Sequence, residues 1–94
     1  MKTVQTMSLE GYKTMLENYQ ICFTNFFPQV KIRCKSTCCT INGLEIIYKD
    51  IIDVAIEDKK YFIINIKNSV YVYLPLDRSA EYRVENMNPS NNQN

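Results

Sequence analysis

Residues 61–76 read YFIINIKNSVYVYLPL, and the way this stretch folds back on itself decides the fold class. Two alternating apolar segments flank the polar turn Lys67-Asn68-Ser69. Side chains alternate across a strand with a period of two, so loop length sets which faces merge. A two-residue loop would place Tyr71 and Tyr73 beside Ile64 and Ile66. A three-residue loop instead collects Phe62, Ile64, Ile66, Val70, Val72, Leu74 and Leu76 on one aliphatic face. The opposite face then bears Tyr61, Asn65, Tyr71 and Tyr73. The odd loop is the consistent solution, and it predicts a half-buried antiparallel sheet with a tyrosine-rich outer side.

Working backwards, Ile51 to Glu57 alternates Ile52, Val54 and Ile56 with Asp53, Ala55 and Glu57, and Asp58-Lys59-Lys60 turns it into the hairpin. Thr37–Ile41 and Leu44–Tyr48 flank Asn42-Gly43, the pair best suited to a type I′ turn because both residues tolerate positive φ. Val30, Ile32 and Cys34 alternate with Lys31, Arg33 and Lys35. Residues 8–27 predict the one clear helix. Ser8 stands at its N-cap, and Leu9, Tyr12, Leu16, Tyr19, Phe23 and Phe26/Phe27 follow three- and four-residue steps, ending at Pro28. That stripe is expected to be a core face against the sheet.

After Pro75 the chain turns polar. Residues 78–87 can form a short helix through Ala80, Val84 and Met87, with Asp77 as cap. Residues 88–94, NPSNNQN, contain no apolar side chain and read as a disordered tail. The sequence therefore predicts one α+β domain over residues 1–87, with an N-terminal helix packed on a five-stranded antiparallel meander.

Ninety-four residues suffice for one modest core, and 46% hydrophobic with 22% charged residues is ordinary for a globular domain. No apolar run is long enough to span a bilayer. The opening MKTVQTMSLEGYK lacks the apolar run of a secretory signal, so a cytoplasmic location is expected. A formal charge of +1 supplies no global field toward nucleic acid or membrane. Histidine is absent, which removes the commonest general base and metal ligand. With no glycine-rich loop and no convincing carboxylate pair, the residue set reads as non-enzymatic, with no catalytic residue and no cofactor.

Cys22, Cys34, Cys38 and Cys39 do not fall into the paired knuckles of a structural zinc site. Adjacent Cys38 and Cys39 on a strand point to opposite faces. A disulfide from Cys34 to Cys38 or Cys39 is open to the spacing but not expected in the cytosol. The simplest expectation is four free thiols and no metal, with Cys22, Cys34 and one of the adjacent pair buried as small apolar residues.

Residues 42–76, NGLEIIYKDIIDVAIEDKKYFIINIKNSVYVYLPL, resemble part of the bacterial pleckstrin-homology-like domains. The resemblance rests on a Tyr-x-Asp-Ile step (Tyr48, Asp50, Ile51), a following hairpin and a strand ending at Leu74-Pro75. It implies a binding module rather than an enzyme. In that family a helix closes the barrel after the strands, whereas here the long helix precedes them.

Two functions fit these features. In the first, Tyr61, Tyr71 and Tyr73 form a protein-binding face, since tyrosine gives stiff amphipathic contact area. The protein would then be a regulator or inhibitor, of the kind encoded by phages and mobile elements, engaging another protein or a second copy of itself. In the second, Lys31, Arg33, Lys35 and nearby Lys49 contact phosphates of a nucleic acid. No small-molecule substrate is evident.

Overall fold

The computed structural model describes residues 1–87, which form eight strands and one α-helix. In chain order these are β1 (Lys2–Gln5), α1 (Leu9–Phe23), β2 (Ile32–Cys34), β3 (Cys38–Ile41) and β4 (Leu44–Ile47). A 3₁₀ turn (Tyr48–Asp50) leads to β5 (Ile51–Glu57), β6 (Tyr61–Ile66), β7 (Val70–Pro75) and β8 (Arg83–Asn86). The segment 88–94, expected to be a disordered tail, lies outside the described residues.

The hairpin has the register of an odd loop. Ile66 pairs with Val70, Ile64 with Val72 and Phe62 with Leu74. Asn68 and Ser69 take positive φ values of 69° and 61° to close the three-residue turn. Asn42 and Gly43, at 49° and 85°, form the predicted tight turn between β3 and β4. The Asn42 side chain also accepts from the Lys31 N–H at 2.7 Å and donates to the Gln29 carbonyl, tying the entry of β2 to that turn.

The single meander is not what forms. There are two antiparallel sheets, one of five strands in the order β1-β5-β6-β7-β8 and one of three in the order β2-β3-β4. The chain crosses between them at the 3₁₀ turn. Tyr48 is buried there, its hydroxyl donating to the Lys35 carbonyl and its N–H to the Thr37 carbonyl. β1 was not legible as a strand because all four of its residues are exposed, so it carries no burial alternation. It pairs with β5 through backbone bonds, Lys2 opposite Glu57 and Gln5 opposite Val54.

The short C-terminal helix is replaced by β8. Ala80 is buried while Val84 and Met87 are exposed, so the three do not share a buried helical face. β7 offers an open ladder, and pairing with it satisfies the backbone of both strands. Asp77 does act as a cap, but of a single turn: the Ser79 N–H donates to its carboxylate at 3.0 Å.

The helix begins at the predicted N-cap, where Ser8 Oγ accepts from the Gly11 N–H at 3.1 Å. It ends at Phe23, short of Pro28. Thr24 and Asn25 are weak helix formers, and the chain turns there so that Phe27 is buried beside Phe23, ring centroids 6.1 Å apart. Phe26 is left exposed. In β5 the alternation is broken by a bulge between Ile51 and Asp53, which sends Ile51 into the core and Ile52 outward.

One core cluster joins Tyr12, Leu16 and Tyr19 of the helix, Ile32, Cys39, Ile41 and Ile46 of the small sheet, and Val54, Ile64, Val72 and Leu74 of the large one. Tyr19 ties the layers together. Its ring lies 5.0 Å from Phe23 and 6.2 Å from Phe62, and its buried hydroxyl donates to the Pro75 carbonyl at 2.7 Å.

Candidate functional site

The outer face of the five-stranded sheet follows from its pairing. One cross-strand row runs Val4, Ala55, Ile63, Tyr73, Arg83; its neighbour runs Asp53, Asn65, Tyr71, Glu85. A third row is Lys2, Glu57, Tyr61, Pro75. Tyr61, Tyr71 and Tyr73 are thus on one face, each half-buried, with the helix on the other side. Ala55 and Ile63, in the middle of it, are buried although they lie outside the main core cluster.

Arginine interleaves these tyrosines, because Arg83 lies on β8 opposite Tyr73 rather than on the expected helix. The Arg83 guanidinium carbon sits 3.8 Å from the Tyr73 ring centroid and 5.4 Å from that of Tyr61. Arg83 Nε donates to Glu85 Oε2 at 3.0 Å, and the Tyr73 hydroxyl donates to Glu85 Oε1 at 3.1 Å. Tyr61 and Tyr73 meet edge to face with centroids 5.5 Å apart. The Tyr61 hydroxyl accepts from the Glu81 N–H at 3.3 Å and from Arg83 Nη1 at 3.4 Å. Partial burial, followed by the Glu85 carboxylate, raises the Tyr73 pKa above its ordinary value. The phenol therefore stays a neutral donor at physiological pH. The signal that could have revealed this group is the alternation of Arg83 and Glu85 with Tyr82 and Val84, which is strand periodicity.

The basic candidates divide. Lys31, Arg33 and Lys35 line one open groove with Pro28, Val30, Ile32 and Thr40, on the outer face of β2, an edge strand. All three are exposed, and no salt bridge among the described residues involves them. Lys49 lies elsewhere, in a hollow with Lys13, Ser36 and Ile47.

All four cysteines are free thiols. Cys22 is exposed on the helix, not buried as expected, while Cys38 and Cys39 are both buried. They face opposite sides of the sheet: Cys39 enters the core and Cys38 Sγ points to Glu45 Oε2 at 3.6 Å. Among the described residues no helix is long and apolar enough to cross a membrane. Comparison with protein-family models, curated proteins and solved structures finds no match to this chain.

Proposed function

We propose that the protein is a non-enzymatic binding module, a regulator or inhibitor, that docks another protein on the outer face of its five-stranded sheet. The observation carrying this reading is the Arg83–Tyr73–Tyr61 stack braced by Glu85. Tyrosine and arginine are the side chains that most often anchor protein interfaces. Here their rotamers are held before any partner arrives, which lowers the ordering cost of binding. Asp53 and Glu57 on the rim favour a partner with an apolar centre and basic margins. The resemblance of residues 42–76 to pleckstrin-homology-like domains also favours a binding module.

The test is capture of partners from a lysate of the source organism, with and without nuclease, by the unmodified protein and by Tyr73→Ser and Arg83→Ala. Sedimentation of the purified protein identifies self-association. A defined partner lost in both variants, at unchanged melting temperature, supports the reading. Identical capture by all three proteins would sink it.

The exposed row of Lys31, Arg33 and Lys35 along one groove supports a second reading, a nucleic-acid surface. Nuclease-sensitive capture, lost on changing these three residues to glutamine, would favour it over the first.

A further inference from the structure

We propose that Cys34 and Cys39 are a reversible disulfide site across β2 and β3. The two residues are direct cross-strand partners, and their sulfurs stand 3.0 Å apart. The ladder around them defines the geometry. The Lys35 N–H donates to the Cys38 carbonyl and the Asn42 N–H to the Lys31 carbonyl, both at 2.8 Å. Hydrogen-bonded pairs therefore fall on 31/42, 33/40 and 35/38. Cys34 and Cys39 occupy the alternate, non-hydrogen-bonded position, where Cα atoms approach to about 4.5 Å and side chains meet most closely. That spacing lies within the span of a disulfide, roughly 4.4–6.8 Å. Closing the sulfurs to a bond of about 2.05 Å then needs side-chain rotation rather than strand movement.

The pair is held in opposition by groups other than the thiols. Tyr48 fixes the intervening turn through the Lys35 and Thr37 carbonyls. Neither remaining cysteine competes, since Cys38 points to the other sheet face and Cys22 sits exposed on the helix. Accessibility sets the order of chemistry. Cys34 is partly exposed and Cys39 is fully buried, so an outside oxidant meets Cys34 first.

With a small disulfide such as oxidised glutathione, the Cys34 thiolate attacks one sulfur, forming a mixed disulfide and releasing one glutathione thiolate. Burial, and then the neighbouring Cys34 sulfur, raise the Cys39 pKa, so its proton must pass to the glutathione released in the first step as Cys39 attacks. Cys39 sulfur then attacks Cys34 Sγ, the bond to glutathione breaks, and the second glutathione leaves. Both cysteine protons end on the two glutathiones, and the two electrons lost by the cysteines reduce them. The product ties β2, a three-residue edge strand bearing Arg33 and flanked by Lys31 and Lys35, to the centre of its sheet.

The test equilibrates the full chain in glutathione buffers of graded ratio, traps thiols by alkylation and maps bridges by peptide mass spectrometry. The expected product has lost two hydrogen atoms, joins Cys34 to Cys39, and is reversed by excess reduced glutathione. Its formation constant should exceed that of the same pair in urea by at least about tenfold, because the fold supplies the proximity. Cys39→Ala should instead accumulate a glutathione adduct on Cys34. Should that variant fail to fold, the Cys22→Ser/Cys38→Ser double variant decides: it should leave the equilibrium unchanged. A bridge through Cys22 or Cys38, or no gain over the denatured chain, overturns the proposal.

Discussion

The two sheets solve the problem of an exposed outer face in opposite ways. On the large sheet, Arg83 is held by Glu85 and two tyrosine rings, and Asn65 donates to Asp53 at 3.4 Å. On the small sheet, Lys31, Arg33 and Lys35 stand in a row with no carboxylate partner among the described residues. The large sheet has strands of six and seven residues at its centre, whereas the small one has strands of three and four. A long, paired sheet can hold a preorganised contact face. A short sheet with a free edge and a cationic row is suited to discouraging edge pairing or to meeting an anion.

The largest expected effect tests which sheet carries the stability. Ile64 is fully buried on the central strand, so Ile64→Ala should cost about 2–5 kcal/mol in urea unfolding. Ile32→Ala, on the edge strand β2, should cost clearly less because solvent can relax into the gap. Equal losses would break the comparison.

Alkaline unfolding comes next. Burial raises the pKa of Tyr19, Tyr48 and Tyr82 above the ordinary tyrosine value. Above about pH 10 the unfolded chain releases phenolic protons that the native chain retains, so stability must fall with rising pH. Below that pH these groups contribute no slope. Each retained proton adds at most about 1.4 kcal/mol per pH unit, less where solvent screens the ring. The tyrosinate absorbance of these three phenols should appear with unfolding rather than ahead of it; their ionisation in the native chain near pH 10 would contradict the burial.

A smaller effect isolates the helix-to-sheet tie. Tyr19→Phe leaves the buried Pro75 carbonyl without its donor and should cost about 1–3 kcal/mol. It should also flatten the alkaline slope. No change in either quantity would mean the hydroxyl bond carries no weight.

The smallest effect is expected on the small sheet's surface. Replacing Lys31, Arg33 and Lys35 with glutamine should alter stability by no more than about 0.5 kcal/mol per substitution. If a nucleic acid binds there, the salt dependence of binding should drop by about three phosphate contacts' worth. Destabilisation well beyond that limit would show the row to be structural.

What was legible in the sequence followed strong local chemistry. The odd loop at 67–69, the Asn42-Gly43 turn and the Ser8 cap each have one good solution, and each formed. The tyrosine face followed directly from the first of these. What was not legible depended on partners remote in the chain. β1 pairs through its backbone alone, and the β5 bulge at Ile52 meets the Tyr12 hydroxyl, which donates to the Ile52 carbonyl at 3.1 Å. β8 had two competing periods over ten residues, and the open edge of β7 decided between them. A helix over 78–87 would have left Arg83 and Glu85 off the tyrosine face, which β8 brings them onto.

The place of β1 has a consequence for how the chain is made. Lys2 pairs with Glu57, and every other strand of the large sheet follows β5 in sequence. During synthesis the first strand emerges long before its partner exists, while β5 through β8 can zip as successive local hairpins. β1 therefore joins by closing the longest loop between paired strands among the described residues, a slow kind of contact to form. Its exposed lysine and short length limit what else it can pair with in that interval.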